Sequence, residues 1–280
     1  MIGPIRGCWR VLLPCLSALL ILATAGCSGG DTTAPDPEWA LVWSDEFDGP
    51  ALQSPDPANW TYDIGTGQNG WGNNQLEWNS DRPENVSLDG DGNLAITARR
   101  EAFRGQPYTS ARIKTKDRFE QRYGRFEARI RVPAGQGIWP AFWMLGADID
   151  EVGWPQSGEI DIMEFRGQEV NVLHGSIHGP GHFAGNAYTR RYVLPEGRLD
   201  TDFHIYGVEW EPDEIRWYLD GDLYHVARRG EVPGEWVYDD EFFMILNVAV
   251  GGNFVGPVGP GLTFPRTMLI DWVRVWERDR

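Results

Sequence analysis

Apolar residues recur every second position through most of this chain, and no long stretch repeats every three to four. Residues 123–132 show the pattern plainly: Phe126, Ala128, Ile130 and Val132 fall on one side, while Arg125, Glu127, Arg129 and Arg131 fall on the other. Successive strand side chains point to opposite faces, so this segment predicts a strand with a core side and a charged side. Residues 244–250 form a nearly continuous apolar run, as expected of a strand covered on both faces. Asp89-Gly-Asp-Gly-Asn93 and Asp220-Gly221 are tight-turn sequences between such runs. Residues 114–121 and 199–203 suit loops or single turns. Many short strands separated by turns predict an all-β domain of two packed antiparallel sheets. Within residues 137–145, Trp139, Ala141 and Trp143 share a face, so two indoles flank a small residue and leave a slot as wide as one sugar ring. Two core tryptophans are the plainer alternative. Pro140 removes a ladder donor there and argues for a strand margin or an irregularity.

The N-terminus departs from this pattern. Arg6 and Arg10 precede an apolar stretch at residues 11–25 that ends in small residues, the layout of an export signal over residues 1–26. Cys27 follows Thr24-Ala-Gly26, which resembles the bacterial lipobox apart from Thr24, where Leu is usual. Two outcomes stay open: a lipoprotein anchored at Cys27, facing outward or into the periplasm, or ordinary cleavage and free secretion. Cys8 and Cys15 lie inside the signal, so a mature chain would hold one thiol and no disulfide. Residues 27–37 read as a flexible tether and residues 38–280 as one catalytic-sized domain.

The chain has 280 residues and a net charge of −16, a field that repels phosphate backbones and argues against nucleic acid as a partner. Its 14 Trp, 9 Tyr and 12 Phe suit either a β core or stacking on sugar rings.

The sharpest feature is Glu159-Ile-Asp-Ile-Met-Glu164, three carboxylates in one strand-favouring run. Period-two counting puts Glu159 and Asp161 on one face and Glu164 on the other, unless one residue is bulged out. Met163 is the candidate extra residue. With the bulge, all three acids form a row in which like charges cannot all ionise at ordinary pKa values. One ionised and one protonated carboxyl is the pair that glycoside cleavage requires. A solvated acidic strand edge is the unremarkable alternative.

These segments closely resemble glycoside hydrolase family 16, in particular its laminarinase-like endo-β-1,3-glucanases. The resemblance rests on Gly158 to Glu164, Gly153-Trp-Pro155, Gly137-Ile-Trp-Pro-Ala-Phe-Trp-Met-Leu145, Gly70-Trp-Gly-Asn-Asn74, Tyr108-Thr-Ser-Ala-Arg112, His174-Gly-Ser-Ile-His178, residues 247–252 and Ile270-Asp-Trp-Val-Arg-Val-Trp276. It implies a β-jelly-roll sandwich with a substrate cleft on its concave sheet, and an endo-acting retaining hydrolase of β-1,3-glucan or mixed β-1,3-1,4-glucan. By the same resemblance Glu159 is the nucleophile, Glu164 the general acid/base and Asp161 their neighbour, with the outer carboxyls about 5 to 5.5 Å apart. Trp139 and Trp143 would line the glycone side, and Asn74, Arg112 and His178 would bind sugar hydroxyls. Phe254 stands where Trp is frequent in the family, so its stacking role stays open. The resemblance implies no catalytic cofactor but a structural calcium near Glu46, Gly92 and Asp271. A monomer acting on polysaccharide is expected, attached to a membrane only through the N-terminal lipid. Agarose, carrageenan, porphyran or xyloglucan as substrate, and a non-catalytic β-glucan-binding protein, are the alternatives.

Overall fold

The computed structural model describes residues 39–278. The export signal, the tether and Cys27 lie outside the described residues.

Two sheets face each other across one apolar core. The outer sheet runs, in spatial order, through Asp222–Arg228, Glu214–Leu219, His204–Glu211, Gly124–Arg131, Arg266–Arg278, Leu94–Phe103, Gln106–Ser110 and Glu77–Asn79. Trp39–Asp45 and Val86–Leu88 are added beside Arg266–Arg278 and Leu94–Phe103. The inner sheet runs Tyr188–Val193, Val172–His178, Glu159–Glu164, Ile138–Gly146, Phe242–Val250, Arg112–Lys114 and Thr61–Tyr62. This is the jelly-roll sandwich expected, with one refinement: Glu77–Asn79 pairs in parallel with Gln106–Ser110, while the other strand pairings are antiparallel. Residues 116–118 and 199–200 are turns.

The alternating segment forms the strand Gly124–Arg131, and Phe126, Ala128 and Ile130 are buried as its spacing demands. Glu127 on its opposite face is also buried, covered by Arg125, whose guanidinium binds the Glu127 carboxylate. The apolar run lies in Phe242–Val250, every residue of which is buried. Pro140 is not marginal. It sits in an interior strand, where the last pair made with the acidic strand is Ala141 with Glu164. The ladder loses little there, because the Pro140 carbonyl still accepts the Phe165 N–H at 3.2 Å.

The bulge is present. Toward Ile138–Gly146, Asp161 pairs with Trp143 and the next pair is Met163 with Phe142; toward Val172–His178, Asp161 pairs with Ser176 and the next pair is Glu164 with His174. The unpaired residue is therefore Ile162 on one side, not Met163 alone. Ile162 and Met163 are both fully buried in the main core, so two consecutive side chains point inward and return Glu164 to the face of Glu159 and Asp161. Met163→Ala is expected to cost about 2–4 kcal/mol in urea unfolding through the cavity it leaves. A change below about 0.5 kcal/mol would contradict a packed bulge.

Candidate active site

The acidic strand lies third in the inner sheet, flanked by the Trp139/Trp143 strand and by the strand carrying His174 and His178. A cleft of about 1020 Å³ opens above this part of the sheet; Glu159, Asp161 and Glu164 all line it, with Trp71, Trp139, Trp143 and Trp154. Glu159 Oε2 accepts the Trp154 indole N–H at 2.7 Å, and Glu164 Oε1 accepts that of Trp139 at 3.1 Å. Each outer carboxylate thus has its own indole donor. Between them, Asp161 Oδ2 lies 3.0 Å from His178 Nε2, which is 3.8 Å from Glu159 Oε1.

Burial, then the charge of Asp161, raises the pKa of both glutamates. Glu164 is raised well above its ordinary value of 4.5, with Glu159 adding to the push. The Trp154 N–H pulls Glu159 back toward the anion, though burial and Asp161 still raise its carboxyl to about 8. Burial opposes charge on His178, but the carboxylates around it outweigh burial and favour its protonation. The Ala184 N–H, however, is donated to His178 Nδ1 at 3.1 Å, so the ring keeps a single proton, on Nε2 facing Asp161. Both outer carboxyls are raised toward the protonated form, and Glu164, whose indole donor lies at 3.1 Å against 2.7 Å for Glu159, is the better placed of the two to hold the proton. His174, opposite Glu164, is buried; desolvation lowers its pKa to about 4, so it places no charge beside the acid.

Trp139 and Trp143 flank Ala141 on the cleft face as their spacing implies. Trp139 packs on Phe254, ring centroids 4.9 Å apart, and the Trp143 N–H is donated to Asn247 Oδ1 at 2.8 Å. Arg112 reaches the cleft, but its guanidinium is sandwiched between Trp71 and Trp143 at 4.5 and 4.7 Å, and its Nε lies 2.9 Å from Asp63 Oδ2. It braces two indoles. His178 is likewise engaged with the acidic row. Asn74 does not line the cleft: the turn Gly70–Asn74 passes through left-handed Trp71 and Gly72, which brings Trp71 to the cleft, and the Asn74 amide is donated to Asn253 Oδ1 at 3.0 Å. Asn73 and Asn253 are the lining residues there.

Trp71, Trp154 and Asn247 were not singled out from the sequence as site residues. The first two sit in loops whose direction no periodicity reveals. Asn247 carried a signal, being the polar residue inside an apolar run.

The carboxylates of Glu46 and Asp271, expected with Gly92 near a structural calcium, are both paired with guanidiniums. Arg274 holds the Glu46 carboxylate at both oxygens, 3.0 and 2.8 Å, and Arg129 binds that of Asp271, so a calcium ion would have to displace two guanidiniums. Among the described residues, Glu159, Asp161 and His178 are the one cluster of potential ligands close enough to share a metal, and they are the reacting row itself.

A β-sandwich with a carboxylate row on the floor of an indole-lined cleft defines a carbohydrate-cleaving enzyme of the two-carboxylate type. The model of glycosyl hydrolases family 16 matches residues 72–272, and the chain belongs to that family. It is 42% identical over 276 residues to the Beta-glucanase of Rhodothermus marinus, covering 93% of this chain and 94% of that protein. It is 36% identical to a Glucan endo-1,3-beta-glucosidase of Cryptopygus antarcticus, covering 85% and 92%. Among solved structures, the laminarinase catalytic domain of Thermotoga maritima MSB8 superposes with a TM-score of 0.81 at 45% identity, over 87% of this chain and all of that one. The chain is thus a glycoside hydrolase.

A raised carboxyl pKa makes the folded state bind a proton the unfolded chain has lost, so the stability lent by Glu164 is present below about pH 4.5 and falls as pH rises toward the folded value. Glu164→Gln is therefore expected to raise stability at pH 7 and to leave it unchanged at pH 4, read by thermal unfolding. Equal effects at both pH values would contradict a protonated Glu164.

Proposed function

We propose that this protein is an endo-acting, retaining hydrolase of β-1,3-glucan, with Glu159 as nucleophile and Glu164 as acid/base. The observation that carries the reading is the bulged row: Glu164, a half-buried carboxyl raised toward its protonated form, stands on the same cleft face as Glu159, which accepts the Trp154 N–H. Glu159 attacks the anomeric carbon while Glu164 protonates the departing glycosidic oxygen, leaving a glycosyl ester on Glu159. Glu164, now ionised, takes a proton from water as that water attacks the same carbon and releases Glu159. Asp161 opposes ionisation of Glu164 until the leaving oxygen needs the proton, and His178 keeps Asp161 in place.

The cleft lining supports a neutral polymer. Of its two cations, Arg112 is committed to Asp63 and two indoles, and Arg166 lies over Phe254 at 4.2 Å with Glu169 3.7 Å away. Neither is placed as a lone guanidinium for a sulfate, as carrageenan or porphyran would require. Four indoles line the cleft, a lining that suits unsubstituted pyranose rings. The relatives named above, a β-glucanase, an endo-1,3-β-glucosidase and a laminarinase, act on the same class of polymer. The N-terminal signal and Cys27 support export and lipid attachment at the cell envelope.

Laminarin, lichenan and agarose separate the substrates by the new reducing ends each yields; laminarin is expected to give the strongest signal, and turnover of agarose alone would overturn the glucan reading. Proton NMR of the first products is expected to show the β-anomer accumulating before mutarotation, whereas α-anomer first would contradict retention. Glu159→Gln and Glu164→Gln should each lower kcat by about three orders of magnitude or more, with laminarin binding kept. Turnover within tenfold of the parent in either variant would remove the assigned role.

A further inference from the structure

The backbone at the bulge is held from the far side of the sandwich. Where pairing breaks after Asp161 on both neighbouring strands, the Asp161 carbonyl turns into the core and accepts the indole N–H of Trp217 at 2.8 Å. Trp217 belongs to Glu214–Leu219 of the outer sheet and is fully buried. The fit is close. Gly175 lies across from the bulge, between the pairs of Ser176 with Asp161 and His174 with Glu164, and a Cβ on it would meet Trp217 Cδ1 at 2.7 Å and the Tyr224 hydroxyl at 2.6 Å. Tyr224 is itself at an irregularity of the outer sheet, where Trp217 pairs with His225 and Tyr218 with Leu223, leaving Tyr224 unpaired. Two breaks in register thus face each other through the core.

We propose that Trp217 is a positioning residue for glycoside cleavage: its N–H pins the Asp161 carbonyl, fixes the bulge in one conformation, and so sets how Glu159 and Glu164 are spaced beneath the scissile bond. The inference rests on the glycosidase reading of the row. A backbone carbonyl facing an apolar core needs a donor, and without one the bulge regains satisfaction by shifting toward regular pairing. Such a shift rotates Glu164 off the cleft face, because slipping one residue exchanges faces. Displacement of about 1 Å at a reacting group can cost about a hundredfold in rate. Trp217 lies under the sheet and touches no sugar, so sugar binding is left in place.

The test replaces Trp217 with the benzothienyl isostere of tryptophan, which keeps the bicyclic shape and removes only the N–H; Trp217→Phe is the encoded companion. The control makes the same replacements at Trp60, an equally buried indole whose N–H binds Asp45 Oδ2 at 2.8 Å away from the cleft. For the Trp217 isostere, kcat on laminarin is expected to fall at least tenfold with KM within twofold, and the alkaline limb of the kcat–pH profile to move as Glu164 changes surroundings. The Trp60 isostere should lower Tm comparably and leave kcat within twofold. A Trp217 isostere with kcat within twofold of the parent, or a loss matched by Trp60 at equal Tm, would overturn the proposal. A parent silent on laminarin counts against the glucan reading alone, and the comparison is then made on the polymer it does cleave.

Discussion

Three carboxylates share one short stretch of sheet on the cleft floor, and the molecule is arranged around making that tolerable. Like charges this close cannot all be ionised in a desolvated site, so some group must hold a proton and the others need donors. Trp154 and Trp139 supply donors to the two glutamates, His178 Nε2 lies 3.0 Å from Asp161, and burial with Asp161 raises Glu164 toward its protonated form. The reactivity of the row is the same quantity as its instability. A fold that relaxed the repulsion by letting Glu164 turn inward would gain stability and lose its acid.

What prevents that relaxation is packing. Ile162 and Met163 both occupy the core, and turning Glu164 inward would expose one of them while burying a carboxyl among apolar neighbours. The outer sheet contributes as more than a lid, since Trp217 reaches across to the Asp161 carbonyl. Around the mouth the same economy recurs with cations. Arg112 is held between Trp71 and Trp143 and beside Asp63, so its charge orients indoles and leaves little free field in the cleft.

Much of this was legible in the sequence because strands repeat every two residues. The inward set Phe126, Ala128, Ile130 follows directly from that period, and the odd spacing from Glu159 to Glu164 demands an extra residue. Which residue is extra was not legible: Ile162 and Met163 are both apolar, and the core accepts both. Period-two reasoning also stops at turns. Asn74 and Asn73 differ in sequence by one position, but a left-handed turn sends one toward Asn253 and the other to the cleft. Trp154 and Trp71 lie in similar loops. Glu46 and Asp271 resemble calcium ligands along the chain, while the guanidiniums that neutralise them come from Arg274 and from the distant Arg129. Ion pairs between remote strands have no local signature.

On the proposed mechanism, the bulge brings Glu159 and Glu164 to opposite tasks on one sugar. The most direct measurement of this is covalent trapping with a 2-deoxy-2-fluoro β-laminaribioside bearing a good leaving group, followed by peptide mass spectrometry. The account predicts a single glycosyl ester on Glu159, accumulating also in Glu164→Gln, because an activated leaving group needs no proton. An ester on Asp161 or Glu164, or turnover with no trapped intermediate, would contradict it.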